Sequence, residues 1–172
     1  LRLFHKPVTG GGDEKLWQFL EVRKGNGTAK DGGSKKILWL ANEAGEIVVD
    51  LAIIRYLARL GHKIVVAFKD GPWFTKVDYY DAQADEQLVE ELKDALLMNE
   101  QNLGKNELVD VLKTDKAIMA ISDGTRENVN FLLTSTTFAR FFKEVDGVIA
   151  KGFEQRRRLF NTHFCFTQDI FS

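Results

Sequence analysis

From residue 37 to the end of the chain, apolar runs of strand length alternate with amphipathic helical segments, and few architectures accommodate that pattern. "KILWLA" is a short apolar run. After a turn, Ile47, Leu51, Ile54 and Ala58 recur at i, i+4, i+7 and i+11, the stripe of a helix that buries one face. Gly61 supplies its left-handed stop. "KIVVAFK" is a second strand, and Pro72 in "DGPWF" ends it. "ADEQLVEELKDALLMN" predicts one helix, with Leu88, Leu92 and Leu96 in register, and "KNELVDVLKTD" predicts another. "KAIMAIS" is a third strand, and "STTFARFFKEV" a helix capped by Thr134 or Ser135. "GVIAKG" reads as a fourth strand, "FEQRRRLF" as a short helix and "HFCFTQDIF" as a fifth strand. Strands alternating with helices make a mainly parallel sheet covered on both faces. The predicted fold class is α/β, a three-layer α/β/α Rossmann-like sandwich. The pattern does not give the order of its strands.

Residues 1–36 stand apart from this body, which spans 37–172. They hold a short amphipathic piece, "DEKLWQFLEV", and then "RKGNGTAKDGGSKK", a glycine-rich, aperiodic stretch that reads as a linker. The sequence begins without Met, which raises the expectation of a missing or truncated N-terminal portion. Lys+Arg of 24 nearly balance Asp+Glu of 25, so the chain lacks the basic excess of a bulk nucleic-acid or membrane-surface binder. No apolar run approaches the roughly 20 residues of a spanning helix, and no signal-peptide core opens the chain. Cys165 is the only cysteine, which excludes a disulfide framework and a cysteine-based zinc cluster; its apolar strand predicts an inert core thiol. These features predict a cytoplasmic protein.

Parallel α/β sheets bind ligands beyond the carboxyl ends of their strands. The loops there are Asn42-Glu43-Ala44-Gly45-Glu46, Asp70-Gly71-Pro72-Trp73, Ser122-Asp123-Gly124-Thr125-Arg126 and Lys151-Gly152. Lysine and helix N-termini suit an anion, while carboxylates and an amide oxygen suit a hard divalent cation. A phosphate ester bridged to Mg²⁺ or Mn²⁺ fits both. Competing readings are that Asn42 or Glu43 caps the following helix with Glu46 complementing its dipole, and that "SDGT" is an ordinary turn. "EQRRR", with Arg157 and Arg158, reads either as a solvated helix face or as a phosphate clamp. The histidines show no metal spacing, and no glycine cluster makes a P-loop or a dinucleotide fingerprint.

"ILWLANEAGEIVVDLAIIRYLARLGHKIVVAFKDGPWF" resembles the damage-control phosphatase family, formerly domain of unknown function 89. Its members read apolar strand, Asp-Asn-Ala-Gly-Glu, helix with an Asp, Leu-Gly-His, strand, then a Gly-Pro or Pro-Trp-Phe loop. "AIMAISDGTRENVNFLLTSTTFARFFKEVDGVIAKGFEQRRRLF" is similar to the later half of the family. Gly45, Glu46, Asp50, Gly61, His62, Pro72, Lys151 and Gly152 fall in register. The resemblance implies a metal-dependent phosphatase acting on sugar phosphates or damaged phosphometabolites. It implies Mg²⁺, Mn²⁺, Co²⁺ or Ni²⁺ held by the Asp-Asn pair and by an Asp after the second strand, with the Lys of Lys-Gly on the phosphate. It also implies an N-terminal helical domain, missing or truncated here, and, as a lesser alternative, methylation of protein carboxylates with S-adenosylmethionine.

The chain departs from that pattern where the metal would sit. Asn42-Glu43 stand where the family has Asp-Asn, and the third ligand falls near Lys76, or on Asp78 if the register slips. The expected site therefore comprises Asn42, Glu43 and Asp78 for metal and Lys151 for the phosphate. Gly45, Glu46, Ser122, Gly124, Arg157 and Arg158 surround the substrate, a small phosphorylated metabolite. The alternative is a catalytically impaired relative that works as a binding or structural subunit with a protein partner, because the altered pair removes charge that a divalent ion needs.

Overall fold

A computed structural model of the protein describes residues 12–20, 34–127, 130–161 and 163–172. The linker expected within residues 23–36 lies largely outside the described residues. The strands are β1 (Lys36–Leu40), β2 (Lys63–Phe68), β3 (Leu96–Met98), β4 (Ile118–Ser122), β5 (Gly147–Ala150) and β6 (Asp169–Phe171). The helices are α1 (Gly12–Phe19), α2 (Ile47–Arg59), α3 (Asp81–Ala84), α4 (Glu86–Glu91), α5 (Lys105–Lys113), α6 (Thr136–Glu144) and α7 (Phe153–Phe160).

The strands form one sheet in the order β3-β4-β2-β1-β5-β6, and every pairing is parallel. Alternate residues of each strand feed two cores. Ile37, Trp39, Ile64 and Val66 meet α2 and α4 through Leu51, Ile54, Leu88 and Leu92. Leu38, Leu40, Val65 and Met119 meet α5, α6 and α7 through Leu108, Phe138, Phe141 and Leu159. Both faces of the sheet are thus covered, which is why the central strands read as unbroken apolar runs. The amphipathic N-terminal piece is helical as expected, and its Phe19 and Leu20 pack on the first core.

Several elements differ from the sequence expectation. The helix expected across Ala84–Asn99 stops at Glu91, and Leu96–Met98 become a strand. Pairing with β4 satisfies backbone groups that a continued helix would leave open on that strand, and tertiary pairing overrides local helix propensity. The expected last strand shrinks to Asp169–Phe171, because only those residues lie alongside β5. Cys165 is consequently exposed rather than core. The expected "GVIAKG" strand ends at Ala150, which leaves Lys151 and Gly152 beyond the sheet.

Candidate active site at the carboxyl end of the sheet

The chain leaves β1 toward β2 on one side, and β5 lies on the other side of β1. The crevice between the carboxyl ends of β1 and β5 is therefore the topological switch point, where parallel α/β sheets place their ligands. Gly45, Glu46 and α2 stand on one side of it, and Lys151, Gly152 and α7 on the other.

Both helices that open onto this crevice start without a side-chain cap. The N-cap of α2 is Glu46 and that of α7 is Gly152, and neither makes a capping bond. The reading of Asn42 or Glu43 as the cap of α2 is thus overturned; their oxygens are engaged elsewhere. By contrast Asp85 caps α4, Ser135 caps α6, and the Glu107 carboxylate closes the first turn of α5. Uncapped first turns keep unpaired N–H groups and the positive end of the helix dipole. Gly45 fits the same picture: an added Cβ would meet nothing within 4 Å, so no packing contact demands a glycine there. Gly152 is different, since its φ of +96° requires glycine and an added Cβ would lie 3.0 Å from the Asn42 amide nitrogen.

Asp50 projects from the buried face of α2 and is 1 % exposed. Its Oδ1 accepts from Lys151 Nζ at 2.5 Å, and its Oδ2 from the Trp39 indole at 3.3 Å. Lys151 also reaches the exposed Glu46 carboxylate at 3.2 Å. Burial works against the Lys151 charge, but bonds to Asp50 and Glu46 outweigh it and hold its pKa above the ordinary value.

Across β1, Lys76 Nζ donates to Asn42 Oδ1 at 2.8 Å and pairs with the Glu43 carboxylate. Thr75 Oγ1 donates to the other Glu43 oxygen at 2.5 Å. The bonds from Lys76 and Thr75 hold the Glu43 carboxyl below its ordinary value. Asp78 lies apart in role: its Oδ1 accepts from the N–H groups of Tyr80 and Asp81 at 2.8 and 3.0 Å. The Asp81 carboxylate returns a bond to the Asp78 N–H at 2.9 Å, so the pair caps α3 reciprocally.

A third group links β2 to β4. Lys69 Nζ binds Asp123 at 2.6 Å and Thr125 Oγ1 at 3.0 Å, all three residues being buried. Burial pushes the Asp123 carboxyl up, against the lowering effects of Lys69 and Thr125. Ser122 Oγ donates to Asp70 and accepts from the Gly124 N–H, both at 3.0 Å. Ser122 and the Gly124 amide are thus committed to the loop itself. Arg157 pairs with Glu154 at 3.1 Å on an exposed face, and Arg158 is half-buried on the same short helix.

The structure brings Asn42 and Glu43 together, and Lys151 with Glu46, but Asp78 serves α3. The divalent metal implied by the resemblance does not fit these residues. A hard dication takes six or more oxygens, and here an amide oxygen and one carboxylate oxygen already surround an ammonium. Among the described residues, no three His, Cys, Asp or Glu side chains are grouped to hold a metal. Sequence reasoning assigns no role to Asp50, Thr75 or Lys69. Asp50 alone had a visible signal, since it falls on the apolar stripe of α2, between Ile47 and Ile54.

The fold defines a parallel α/β domain with a crevice at its topological switch point. A family model described as the Damage-control phosphatase ARMT1-like domain matches residues 2–172. The chain belongs to this family. The crystal structure of a DUF89 family protein from Pyrococcus horikoshii is similar in fold, with a TM-score of 0.51 and 22% sequence identity over 83% of this chain. The match covers 38% of that protein, so this chain spans well under half of its length. No curated protein matches the chain. Among the described residues, no helix is long and apolar enough to cross a membrane.

Proposed function

We propose that this domain acts on small phosphorylated metabolites, sugar phosphates or damaged phosphometabolites, as a phosphomonoester hydrolase of its family. The carrying observation is that the helices following β1 and β5, the two strands that border the crevice, both start without a side-chain cap, with Lys151 between them. Backbone N–H groups and a lysine are the donors that hold and stabilise a transferring phosphoryl group. Lys151 is poised for this, because buried Asp50 fixes it while exposed Glu46 is a weaker partner that an incoming phosphate displaces. Gly45 leaves room for the phosphate to approach the backbone, and Arg157 and Arg158 lie on the helix nearest the body of the substrate. Ser122 and Gly124 act indirectly, by shaping the neighbouring loop.

Phosphate release from a panel of sugar phosphates and p-nitrophenyl phosphate tests the proposal, with Lys151→Met as control. Release that Lys151→Met lowers at least tenfold is expected. No release by the folded protein supports the second reading, a binding or structural subunit that does not turn over. That reading is favoured by Lys76, whose ammonium stands between Asn42 and Glu43.

A further inference from the structure

We infer that Lys76 is a built-in cation, holding Asn42 and Glu43 in the way a bound divalent ion would and keeping such an ion out. Three features of the Trp73–Lys76 turn carry this. First, the backbone from which the lysine projects is itself held in place. Lys76 N–H donates to Trp73 O at 3.0 Å, Ala44 N–H to Thr75 O at 2.8 Å, and Val77 N–H to Asn42 O at 3.0 Å. The turn is therefore stapled to the end of β1 on both sides of the lysine.

Second, the turn holds Phe74 at a φ of +50°, a left-handed conformation in a bulky residue whose side chain is 89% exposed. Phe74 gains no burial for this strain, which the staples around Lys76 sustain. Third, the oxygens are matched to an ammonium. Lysine offers donors only, and its two partners here offer acceptors: Asn42 Oδ1 and one Glu43 oxygen, while Thr75 donates to the other. Lys76 is mostly buried, with 17% of its side chain exposed, which leaves little room for a hydrated ion beside it. The inference concerns the cation alone and holds whichever phosphorylated ligand the crevice takes.

Mn²⁺ titration followed by electron paramagnetic resonance tests it, with thermal melts of the same samples. The wild-type chain is expected to leave the free Mn²⁺ signal undiminished, and its melting temperature is expected to be equal in Mn²⁺ and in chelator. Lys76→Asp supplies a carboxylate and removes the ammonium, so it gains saturable Mn²⁺ binding that a second substitution, Glu43→Gln, abolishes. Lys76→Asn carries the same readouts should the aspartate variant fail to fold. Saturable Mn²⁺ binding by the wild type that Glu43→Gln removes would overturn the inference. So would folded Lys76 variants that bind no Mn²⁺, since the lysine would then not be what excludes it.

Discussion

Asp50 is a buried carboxylate with two partners, and its removal strands the Trp39 indole and weakens the hold on Lys151. Asp50→Ala leaves the Trp39 indole without an acceptor and Lys151 with exposed Glu46 alone, which costs about 1–3 kcal/mol in a urea titration. Asp50→Asn keeps an acceptor and loses less. The two flanking groups predict opposite pH limbs. The folded-state pKa of Glu43 is depressed, so its contribution is present above the ordinary value of 4.5 and is lost as pH falls through the lowered pKa. Glu43→Gln should flatten the acid limb of the stability profile. The Lys151 pKa is raised, so its contribution is complete below the ordinary value of 10.5 and is lost as pH rises through the folded value. Lys151→Met should flatten the alkaline limb instead. At this scale the sequence was only partly legible. Lys151 stands out after an apolar strand, whereas the partnership of Lys76 with Asn42 depends on a loop that folds back 34 residues later.

Elements at the carboxyl end of the sheet are joined by isolated backbone bridges and by polar side chains. The Lys69–Asp123 pair fastens the end of β2 to the loop after β4. Removing one member of a buried pair typically costs about 3–5 kcal/mol, so Asp123→Ala should lower the urea midpoint far more than any surface substitution. Gly124 sits under the start of α6 with a φ of +81°, and an added Cβ would lie 2.6 Å from the Ser135 nitrogen. Gly124→Ala should therefore lose at least about 1 kcal/mol and loosen the Ser135 cap, visible as faster amide exchange at Phe138. Helices α2 and α6 were legible because the apolar stripe and glycine stop of α2 and the Ser135 cap of α6 are local signals. Strand β3 was not, because Leu96 continues the leucine stripe of α4 yet packs on the opposite face of the sheet. Only the exposed edge of β4 decides between those two placements, and no local pattern encodes it.

The whole molecule is built on a parallel sheet with its first strand near the centre and the switch-point crevice beside that strand. Fold class followed from the alternation of runs, but the position of the crevice did not, since it depends on strand order. If the crevice takes a phosphoryl group, inorganic phosphate should raise the melting temperature of the wild type. At about 100 times its dissociation constant it would add about 2.7 kcal/mol, and Lys151→Met should lose that gain.

The N–H of Lys36 bonds the Asp146 carboxylate across 110 residues, and β5 joins β1 in the same place. Such a closure is slow, because the entropy of a long loop is spent before any contact rewards it. β1 and β2, linked by a single helix, can pair long before β5 arrives. The wall of the crevice that carries Lys151 is thus expected to be among the last parts of the molecule to assemble. A bound ligand should accordingly slow unfolding while leaving the refolding rate almost unchanged, an asymmetry that stopped-flow measurements with and without phosphate would display.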